Sequence, residues 1–482
     1  MRLYNTLTRS ADLFAPKADG IVRFYVCGPT VYDHLHVGNL RPIIVFDALR
    51  RYMERFKKWT VLYVQNVTDV DDKLINRSRE TGESVETISA RYTEAYFDLL
   101  HRLGVAEPTH SPRATEHIEA MIELVKRLVD RGAAYASNGD VYFRVQAAPG
   151  YGKLSGRRLE EQEVGARVEA SGKKEHPLDF TLWKAAKPGE PWWPSPWGEG
   201  RPGWHTECVA LSRRFLGGTL DIHAGGNDLV FPHHENEMAQ AEAAYGEPLS
   251  RFWLHNGMLT IRGEEMHKSS GNFTYGYALL DRFGAAVVRY FYLSHHYRKP
   301  LDFSEDGLCE SAAALRRLQT FVADAEAELC QACEVVEDDA VNAQALSGEL
   351  ERLRARYVDA MDDDLNTVDA IAVLQDLVTA ANRFRQDGSC RGGETLRAAV
   401  SVLRELDGPL GLLPAAEAGA DGTLEAELIA LLIDLREQLR NAKSFDLADE
   451  IRDRLSSLGV ALKDGPEGTL WVRCALPDGE GS

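Results

Sequence analysis

Residues 24–41 read FYVCGPTVYDHLHVGNLR, and this stretch decides the fold. An apolar run over 21–26 predicts a short strand that ends at Cys27, and apolar residues at helical spacing predict a helix over 42–55. A strand, a glycine-containing turn and a helix N-terminus together form an anion site, because free backbone N–H groups point at the ligand. Gly38 would let such a ligand approach the backbone closely.

The alternation of short apolar strands and helical stretches continues to about residue 103, with a strand at 61–64 and a helix over 84–103. This βαβ pattern predicts an α/β fold with a parallel sheet covered by helices. Ligands of such sheets bind at the carboxyl ends of the strands, which is where Cys27 and Thr68 fall.

The character of the sequence changes after this region. A helix over 114–131 and a turn at 137–140 precede Gly-, Lys- and Pro-rich sequence, which we interpret as an insertion over 115–202. The sheet then resumes near residue 203. Residues 304–413 are rich in Ala, Leu, Arg and Glu with few turn signals, which predicts a helical bundle. Past an Ala- and Gly-containing linker, the sequence predicts two helices and a short β-like tail.

Composition narrows the class of protein. The 482 residues are 44% hydrophobic and 27% charged, which is typical of a globular chain of two to four domains. No apolar run approaches the roughly 20 residues of a membrane helix, so we expect a cytoplasmic protein without a membrane partner. The net charge of −19 argues against non-specific nucleic-acid binding through a generally basic surface. Seven scattered cysteines predict no disulfide framework, and the CxxC pair Cys330 and Cys333 has no second pair.

Four dispersed residues could hold a zinc ion: Cys27, Cys208, His233 and Glu237. Pro232 suits the first turn of a helix, in which His233 and Glu237 would share one face. Two thiolates would complete a tetrahedral set. His234 is a rival ligand, about a quarter-turn away, and buried cysteines beside a surface histidine and glutamate fit the spacing as well.

Two short motifs carry a family resemblance. His36-Val37-Gly38-Asn39 resembles the HIGH signature of class I aminoacyl-tRNA synthetases, and residues 265–272, EMHKSSGN, resemble their KMSKS loop. Four flanking stretches are similar to the cysteinyl-tRNA synthetase family: CGPTVYD (27–33), NVTDVDDK (66–73), GWHTEC (203–208) and FPHHENE (231–237). The resemblance covers most of the chain, and the motifs follow one another in the family's order.

The resemblance implies a domain organisation. Its parts are a Rossmann-type nucleotide-binding catalytic domain over 1–114 and 203–260, a connective insertion over 115–202, a KMSKS loop and stem-contact region over 261–303, a helical bundle over 304–414 and a small C-terminal anticodon-binding domain over 422–482. The last region has a net charge of −6 from 421 onward, so composition alone does not predict nucleic-acid binding there. Trp192, Trp193 and Trp197 would suit stacking on nucleotides or a buried apolar turn.

The family resemblance also implies an activity: ATP activates L-cysteine to cysteinyl-adenylate, and the cysteinyl group passes to the terminal ribose of tRNA(Cys). One Zn²⁺ per chain on the four residues above would recognise the thiolate, with Mg²⁺ accompanying ATP and the chain acting as a monomer. Implied catalytic residues are His36, Asn39 and Lys268, and implied ATP contacts are His34, His36, Gly38, Asn39, Lys268 and Ser269. Implied cysteine contacts are Thr68, Trp204, His223 and Asp228; from residue type alone, Trp204 also fits core packing and Asp228 a helix cap.

The chain departs from the family pattern at three positions. Asn39 replaces the second histidine of HIGH, and Glu265 and His267 replace the first lysine and the serine of KMSKS. We expect Glu265 to point away from the triphosphate, because a carboxylate facing phosphate is unfavourable. Two alternatives remain: the related mycothiol-pathway ligase, which joins cysteine to an amino-sugar and lacks an anticodon-binding end, and an inactive synthetase-like binding protein.

Overall fold

The structure is a computed structural model that describes residues 1–17, 19–157, 174–261, 263–265, 273–331, 340–386, 393–414, 422–441, 444–457, 460–465 and 468–473. The chain divides into two compact units. The first comprises Met1–Arg316, Gly348–Thr379 and Val402–Leu412, and the second comprises Arg317–Ser347, Ala380–Ser401 and Leu413–Ser482. Within the described residues, no helix combines the length and apolar character that a membrane span requires.

Fifteen strands are described, which we number in chain order. They are β1 (Arg2–Asn5), β2 (Ser10–Leu13), β3 (Ile21–Val26), β4 (Thr60–Gln65), β5 (Ala134–Ser137), β6 (Asp140–Phe143), β7 (Phe180–Ala185), β8 (Gly200–Pro202), β9 (Leu220–Gly226), β10 (Ser250–Asn256), β11 (Leu259–Ile261), β12 (Glu264–Glu265), β13 (Leu301–Phe303), β14 (Val460–Gly465) and β15 (Gly468–Arg473).

The α-helices of the described residues are numbered likewise. They are α1 (Val37–Arg55), α2 (Asp72–Thr81), α3 (Val85–Arg102), α4 (Ile118–Asp130), α5 (Trp204–Leu216), α6 (Glu235–Tyr245), α7 (Gly276–Leu293), α8 (Glu305–Gln331), α9 (Ala340–Asp362), α10 (Thr367–Gln386), α11 (Glu394–Asp407), α12 (Gly422–Asn441) and α13 (Phe445–Ser457).

The centre of the first unit is a four-stranded sheet in the order β10-β9-β3-β4, with every neighbouring pair parallel. The predicted α/β fold with a parallel sheet is therefore confirmed. Phe24, Tyr25 and Val26 of β3 are fully buried, because this inner strand is flanked by strands on both edges. All four strands end on the same side, so the loops after them converge on one edge.

Helix α1 begins at Val37, five residues before the predicted start at residue 42, so that prediction is wrong. His36 caps the helix: its Nδ1 accepts the Gly38 N–H at 3.1 Å, and the Asn39 side-chain oxygen accepts the His36 N–H at 3.1 Å. This reciprocal cap satisfies two backbone donors and starts the helix early. Pro42 then lies inside the helix, where it removes one backbone hydrogen bond.

The described part of the insertion forms its own antiparallel sheet, in the order β5-β6-β7-β8, against α4. The turn predicted at 137–140 joins β5 to β6, and Asn138 and Gly139 there have φ of 52° and 82°. Positive φ at both positions is the conformation that two-residue hairpins favour. One apolar core runs from this insertion into the parallel sheet; its members include Phe143, Leu182, Trp183, Cys208, Val209 and Trp253.

Helix α6 begins at Glu235, which corrects the predicted start near Pro232. Residues Val230–His234 form a separate short π-type turn, and Phe231 within it is extended, with φ −141° and ψ 131°. An extended residue interrupts the helical hydrogen-bond series, so the regular helix starts only after it.

In the second unit, α12, α13 and the antiparallel hairpin β14–β15 share a small core of Ile429, Leu455 and Val460. The two helices and the β tail expected for this region are therefore present. Of the CxxC pair, the side chain of Cys330 and all of Cys333 lie outside the described residues.

Candidate active site

A cavity of about 370 Å³ opens at the carboxyl ends of the parallel sheet. Its lining comes from the turns after β3 and β9, the starts of α1 and α5, and the segment after β10. The residues that line it include Cys27, Gly28, Thr30, His36, Gly38, Asn39, Lys73, Trp204, Asp228, Asn256 and Met258.

Six of the predicted site residues line this cavity: Cys27, His36, Gly38, Asn39, Trp204 and Asp228. Thr68, Cys208, His223, His233 and Glu237 are buried behind its wall. His34 does not line it and instead packs among tyrosines. Lys268 and Ser269 lie outside the described residues, as do His267 and the side chain of Glu265.

The start of α1 forms one end of the cavity. His36 and Asn39 close the helix cap with their side chains, and Gly38 lies between them with its N–H bonded to His36. The N-terminus of a 19-residue helix concentrates the positive end of its dipole at this point. Lys73, on α2, adds a full positive charge to the same cavity. This end can therefore stabilise negative charge on phosphoryl oxygens.

At the other end of the cavity lies a group of potential metal ligands, of which Cys27 is half-buried and lines the cavity while the other three are buried behind it. Cys27, Cys208, His233 and Glu237 each offer one ligand atom, and these atoms all lie within 4.8 Å of one another. The two sulfur atoms are 3.5 Å apart, and His233 Nε2 is 2.7 Å from the Glu237 carboxylate. Two thiols, an imidazole and a carboxylate at one point form a donor set that suits tetrahedral zinc.

A second set overlaps the first. Cys27, His223, His234 and Glu237 also converge within the same limit, with His234 Nε2 3.2 Å from Cys27 Sγ and His223 Nε2 2.9 Å from Glu237. The alternative ligand His234 therefore also reaches Cys27, because it lies in the turn before α6 and not on the regular helix that the sequence predicted. The first set holds two sulfurs and the second only one, and soft thiolate ligands favour zinc.

Sequence reasoning missed two histidines that support these groups. His205 Nδ1 lies 2.9 Å from His233 Nδ1, and His255 Nε2 lies 2.8 Å from His234 Nδ1. Such partners orient an imidazole so that its other nitrogen faces the ligand position. His205 lies within the GWHTEC stretch, so the family resemblance could have pointed to it. His255 lies at the end of β10, and no sequence motif marks it.

Charges within the cluster are strongly coupled. Burial by itself would raise the pKa of Glu237, but His233 and His223 outweigh it and hold that pKa well below its usual range. Burial opposes the charge on His233, yet Glu237 and Cys208 raise the pKa of His233 to about 10. Burial, together with Cys208 and Glu237, raises the pKa of Cys27 well above its usual value. The proton on His233 thus offsets the charge of the buried Glu237 carboxylate, whereas the proton on Cys27 keeps that thiol neutral.

The loops that follow β3 and β4 are in direct backbone contact beside this cluster. The Gly28 N–H donates to the Asn66 side-chain oxygen at 2.9 Å, and a Cβ on Gly28 would lie 1.5 Å from the Asn66 backbone oxygen. Thr68 continues the contact, because its N–H donates to Pro29 O and its hydroxyl donates to the buried Glu207 at 2.7 Å. Only glycine lets the ends of β3 and β4 approach this closely.

Trp204 and Asp228 face the cavity between its two ends. The Trp204 ring stacks on His233 with 4.1 Å between centroids, and the residue is 38% exposed. Asp228 follows β9 in a short 3-10 turn, and its carboxylate is exposed. An aromatic face and a carboxylate are groups that can hold an ammonium ion.

Comparisons with known proteins agree with this geometry. Residues 13–313 match the profile of tRNA synthetases class I (C) catalytic domain, and residues 356–414 match the DALR domain. The cysteine–tRNA ligase of Caldicellulosiruptor saccharolyticus is 49% identical over 98% of this chain and 100% of its own length. Those of Clostridioides difficile and Moorella thermoacetica are each 46% identical over 98% of this chain and 100% of their own length.

Solved structures resemble the fold at low sequence identity. Mycobacterium tuberculosis methionyl-tRNA synthetase in complex with methionyl-adenylate superposes with a TM-score of 0.65 at 17% identity, covering 81% of this chain and 91% of that one. The Agrobacterium radiobacter K84 LeuRS, in a ternary complex with tRNA and LeuAMS, gives 0.61 at 11% identity, covering 83% and 85%. At these identities the likeness extends to the fold alone.

Gly28→Ala should destabilise the first unit by about 1–3 kcal/mol or more, because the new methyl group cannot coexist with the Asn66 carbonyl and the strand ends must separate. Thermal unfolding measures the change as a lower Tm. Gly348→Ala is the matched control: Gly348 lies in α9 with no atom within 4 Å of its would-be Cβ, so alanine should be neutral or stabilising by roughly 0.5–1 kcal/mol. Equal Tm values for the two variants would contradict the packing argument.

Proposed function

Because the chain belongs to the cysteine–tRNA ligase family of class I tRNA synthetases and is therefore an aminoacyl-tRNA ligase, we propose the following two-step reaction for it. The protein activates L-cysteine with ATP to cysteinyl-adenylate and pyrophosphate, and then transfers the cysteinyl group to the terminal ribose of tRNA(Cys). The observation that carries the proposal is the buried group of Cys27, Cys208, His233 and Glu237 at one end of a cavity whose other end is the capped start of α1.

At the ATP end, the first step needs the cysteine carboxylate to attack the α-phosphate while pyrophosphate leaves. His36, Gly38 and Asn39 would hold the triphosphate against the start of α1, and Lys73 adds charge to the same wall. Asn39 supplies its side-chain oxygen to the cap, which leaves its amide N–H groups as neutral donors toward phosphate. Lys268 and Ser269 would complete this end from the KMSKS-like loop, with Mg²⁺ accompanying ATP; these roles rest on the motif alone.

At the cysteine end, Cys27, Cys208, His233 and Glu237 would hold Zn²⁺, with His205 fixing the orientation of His233. Zinc, when bound there, supplies a Lewis acid with high affinity for sulfur, which separates cysteine from serine far better than an apolar pocket does. Asp228 would form an ion pair with the substrate ammonium, and the Trp204 ring would form one wall of the cysteine pocket. Thr68 and His223 are buried behind the cavity wall and would support cysteine binding indirectly. Thr68 would do so through its hydrogen bond to Glu207, and His223 through its contact with Glu237.

The amino-sugar ligase and the inactive binding protein are not favoured. Relatives of 46–49% identity match this chain over 98% of its length, including the region after residue 414 that an amino-sugar ligase would lack. The monomeric state is a prediction.

The purified chain should catalyse cysteine-dependent exchange of pyrophosphate into ATP and should attach cysteine to tRNA(Cys). Serine is the control substrate and should support neither reaction at a comparable rate, because its hydroxyl stays protonated near neutral pH and binds zinc poorly. Radiolabelled pyrophosphate and acid-precipitable cysteine measure the two steps. Exchange without tRNA charging, together with acceptance of an amino-sugar, would contradict the proposal, as would the absence of exchange.

The full-length chain should contain about one zinc per molecule, and Cys208→Ala should lose both the metal and cysteine activation. Zinc binding should release protons and weaken as the pH falls, because the pKa of His233 in the metal-free cluster is raised to about 10 and the metal must displace that proton. Metal analysis and pyrophosphate exchange report the two losses. Cys309→Ala is the matched control, since Cys309 is an exposed free cysteine on α8 and should change neither. Full activity in zinc-free protein would argue against the metal's role.

A chain that ends at residue 421 should keep pyrophosphate exchange and lose most tRNA charging, if 422–482 reads the anticodon as we propose. The candidate cysteine and ATP residues all precede residue 272, and α12, α13 and β14–β15 have a core of their own. Exchange serves as the internal control for folding of the shortened chain. Undiminished charging by that chain would remove the proposed role from this region.

A further inference from the structure

A row of aromatic rings leads outward from the ATP end of the cavity. The Phe273 ring lies 5.4 Å from His36, which lines the cavity, and Tyr275 lies 5.0 Å beyond Phe273. Tyr277 follows at 5.4 Å and is nearly parallel to Tyr275, with 18° between the ring planes. We call Phe273, Tyr275 and Tyr277 the aromatic row.

Two further rings extend this surface sideways. His34 lies 4.8 Å from Tyr277 and 6.0 Å from Tyr275, and Tyr92 of α3 lies 5.1 Å from His34 on its other side. His34 is exposed, and Tyr277 keeps 37% of its surface exposed. His34 and Tyr277 are thus the exposed members of an aromatic surface beside the cavity, and the other three rings of that surface are half-buried.

Backbone contacts hold the aromatic row against the turn that precedes α1. The Val37 N–H donates to Thr274 O at 3.0 Å, and the Gly276 N–H donates to Leu35 O at 2.8 Å. The Tyr275 hydroxyl donates to the Asp33 carboxylate at 3.3 Å. Because these bonds join the row to both sides of His36, its rings have a defined position relative to the cavity.

Positive charge borders the same surface. Lys73 lies 5.4 Å from the centroid of Tyr32, which stands two residues before His34, and Lys73 also lines the cavity. Arg77, one turn further along α2, lies beside Tyr92, pairs with Glu80 at 3.5 Å and keeps 38% of its side chain exposed. In a protein of net charge −19, this surface thus combines two cations with the carboxylates of Asp33 and Glu80.

We propose that the aromatic row, with His34 and Tyr92, receives the unpaired bases at the acceptor end of tRNA and guides the terminal ribose into the cavity. The inference rests on the proposed function, because transfer requires the end of a polyanionic single strand to reach the adenylate. Aromatic faces bordered by lysine and arginine are the combination that binds single strands, since every base can stack and the cations offset phosphate charge. The row adjoins the ATP end of the cavity, and the reacting carbonyl of the adenylate would lie where that end meets the cysteine end.

The test uses the full-length chain with Tyr277→Leu, which keeps apolar bulk and removes the π face, and Tyr277→Phe, which keeps the face and removes the hydroxyl. For Tyr277→Leu we expect unchanged pyrophosphate exchange and a roughly tenfold higher tRNA concentration for half-maximal charging. Tyr277→Phe should match the unsubstituted chain in both assays. A short oligoribonucleotide with the terminal sequence of the tRNA should inhibit charging by the unsubstituted chain and inhibit Tyr277→Leu more weakly.

Three results would overturn this inference. Normal charging by Tyr277→Leu would remove the row from tRNA binding. A parallel fall in exchange and charging would assign the row to ATP. Equal damage from Tyr277→Phe and Tyr277→Leu would assign the effect to the hydroxyl rather than to stacking. Failure of the proposed function itself is distinguishable, because the unsubstituted chain would then not perform cysteine-dependent exchange.

Discussion

The carboxylate of Glu237 has no exposed surface, and the site depends on how the protein compensates its charge. Imidazoles at 2.7 and 2.9 Å and a thiol at 3.6 Å surround it. An uncompensated charge at such depth would cost several kcal/mol. The strands and helices that deliver these partners must therefore keep them in place: β3 ends at Cys27, β9 carries His223, α5 carries Cys208, and the turn before α6 carries His233.

The two ends of the cavity meet opposite electrostatic needs. The capped start of α1 and Lys73 favour negative charge on oxygen, whereas the buried sulfur-rich group offers soft donors to a metal. Both lie at the carboxyl edge of one parallel sheet, where loops after successive strands converge. A generally acidic chain can therefore still bind polyanionic substrates, because the favourable field is local.

The sequence predicted the elements that apolar runs and turn residues mark, and it missed one local helix cap and the long-range contacts of the site. The strand over 21–26 and the turn at 137–140 follow from apolar runs and turn residues. The predicted start of α1 is too late because the prediction rested on the apolar spacing from residue 42 onward, whereas the His36–Asn39 cap begins the helix earlier. The support that His255 gives to His234 depends on which strand lies beside which turn, and no spacing rule reports that.

The apolar core shared by the insertion and the parallel sheet also limits how the protein can move. Phe143, Trp183, Val209 and Trp253 pack into one cluster, so the described part of the insertion cannot separate from the sheet without exposing core surface to water. Separating regions joined in this way exposes more apolar surface than moving a loop does, so it requires more free energy. Side chains and loops at the rim of the cavity therefore open more readily than the insertion separates from the sheet.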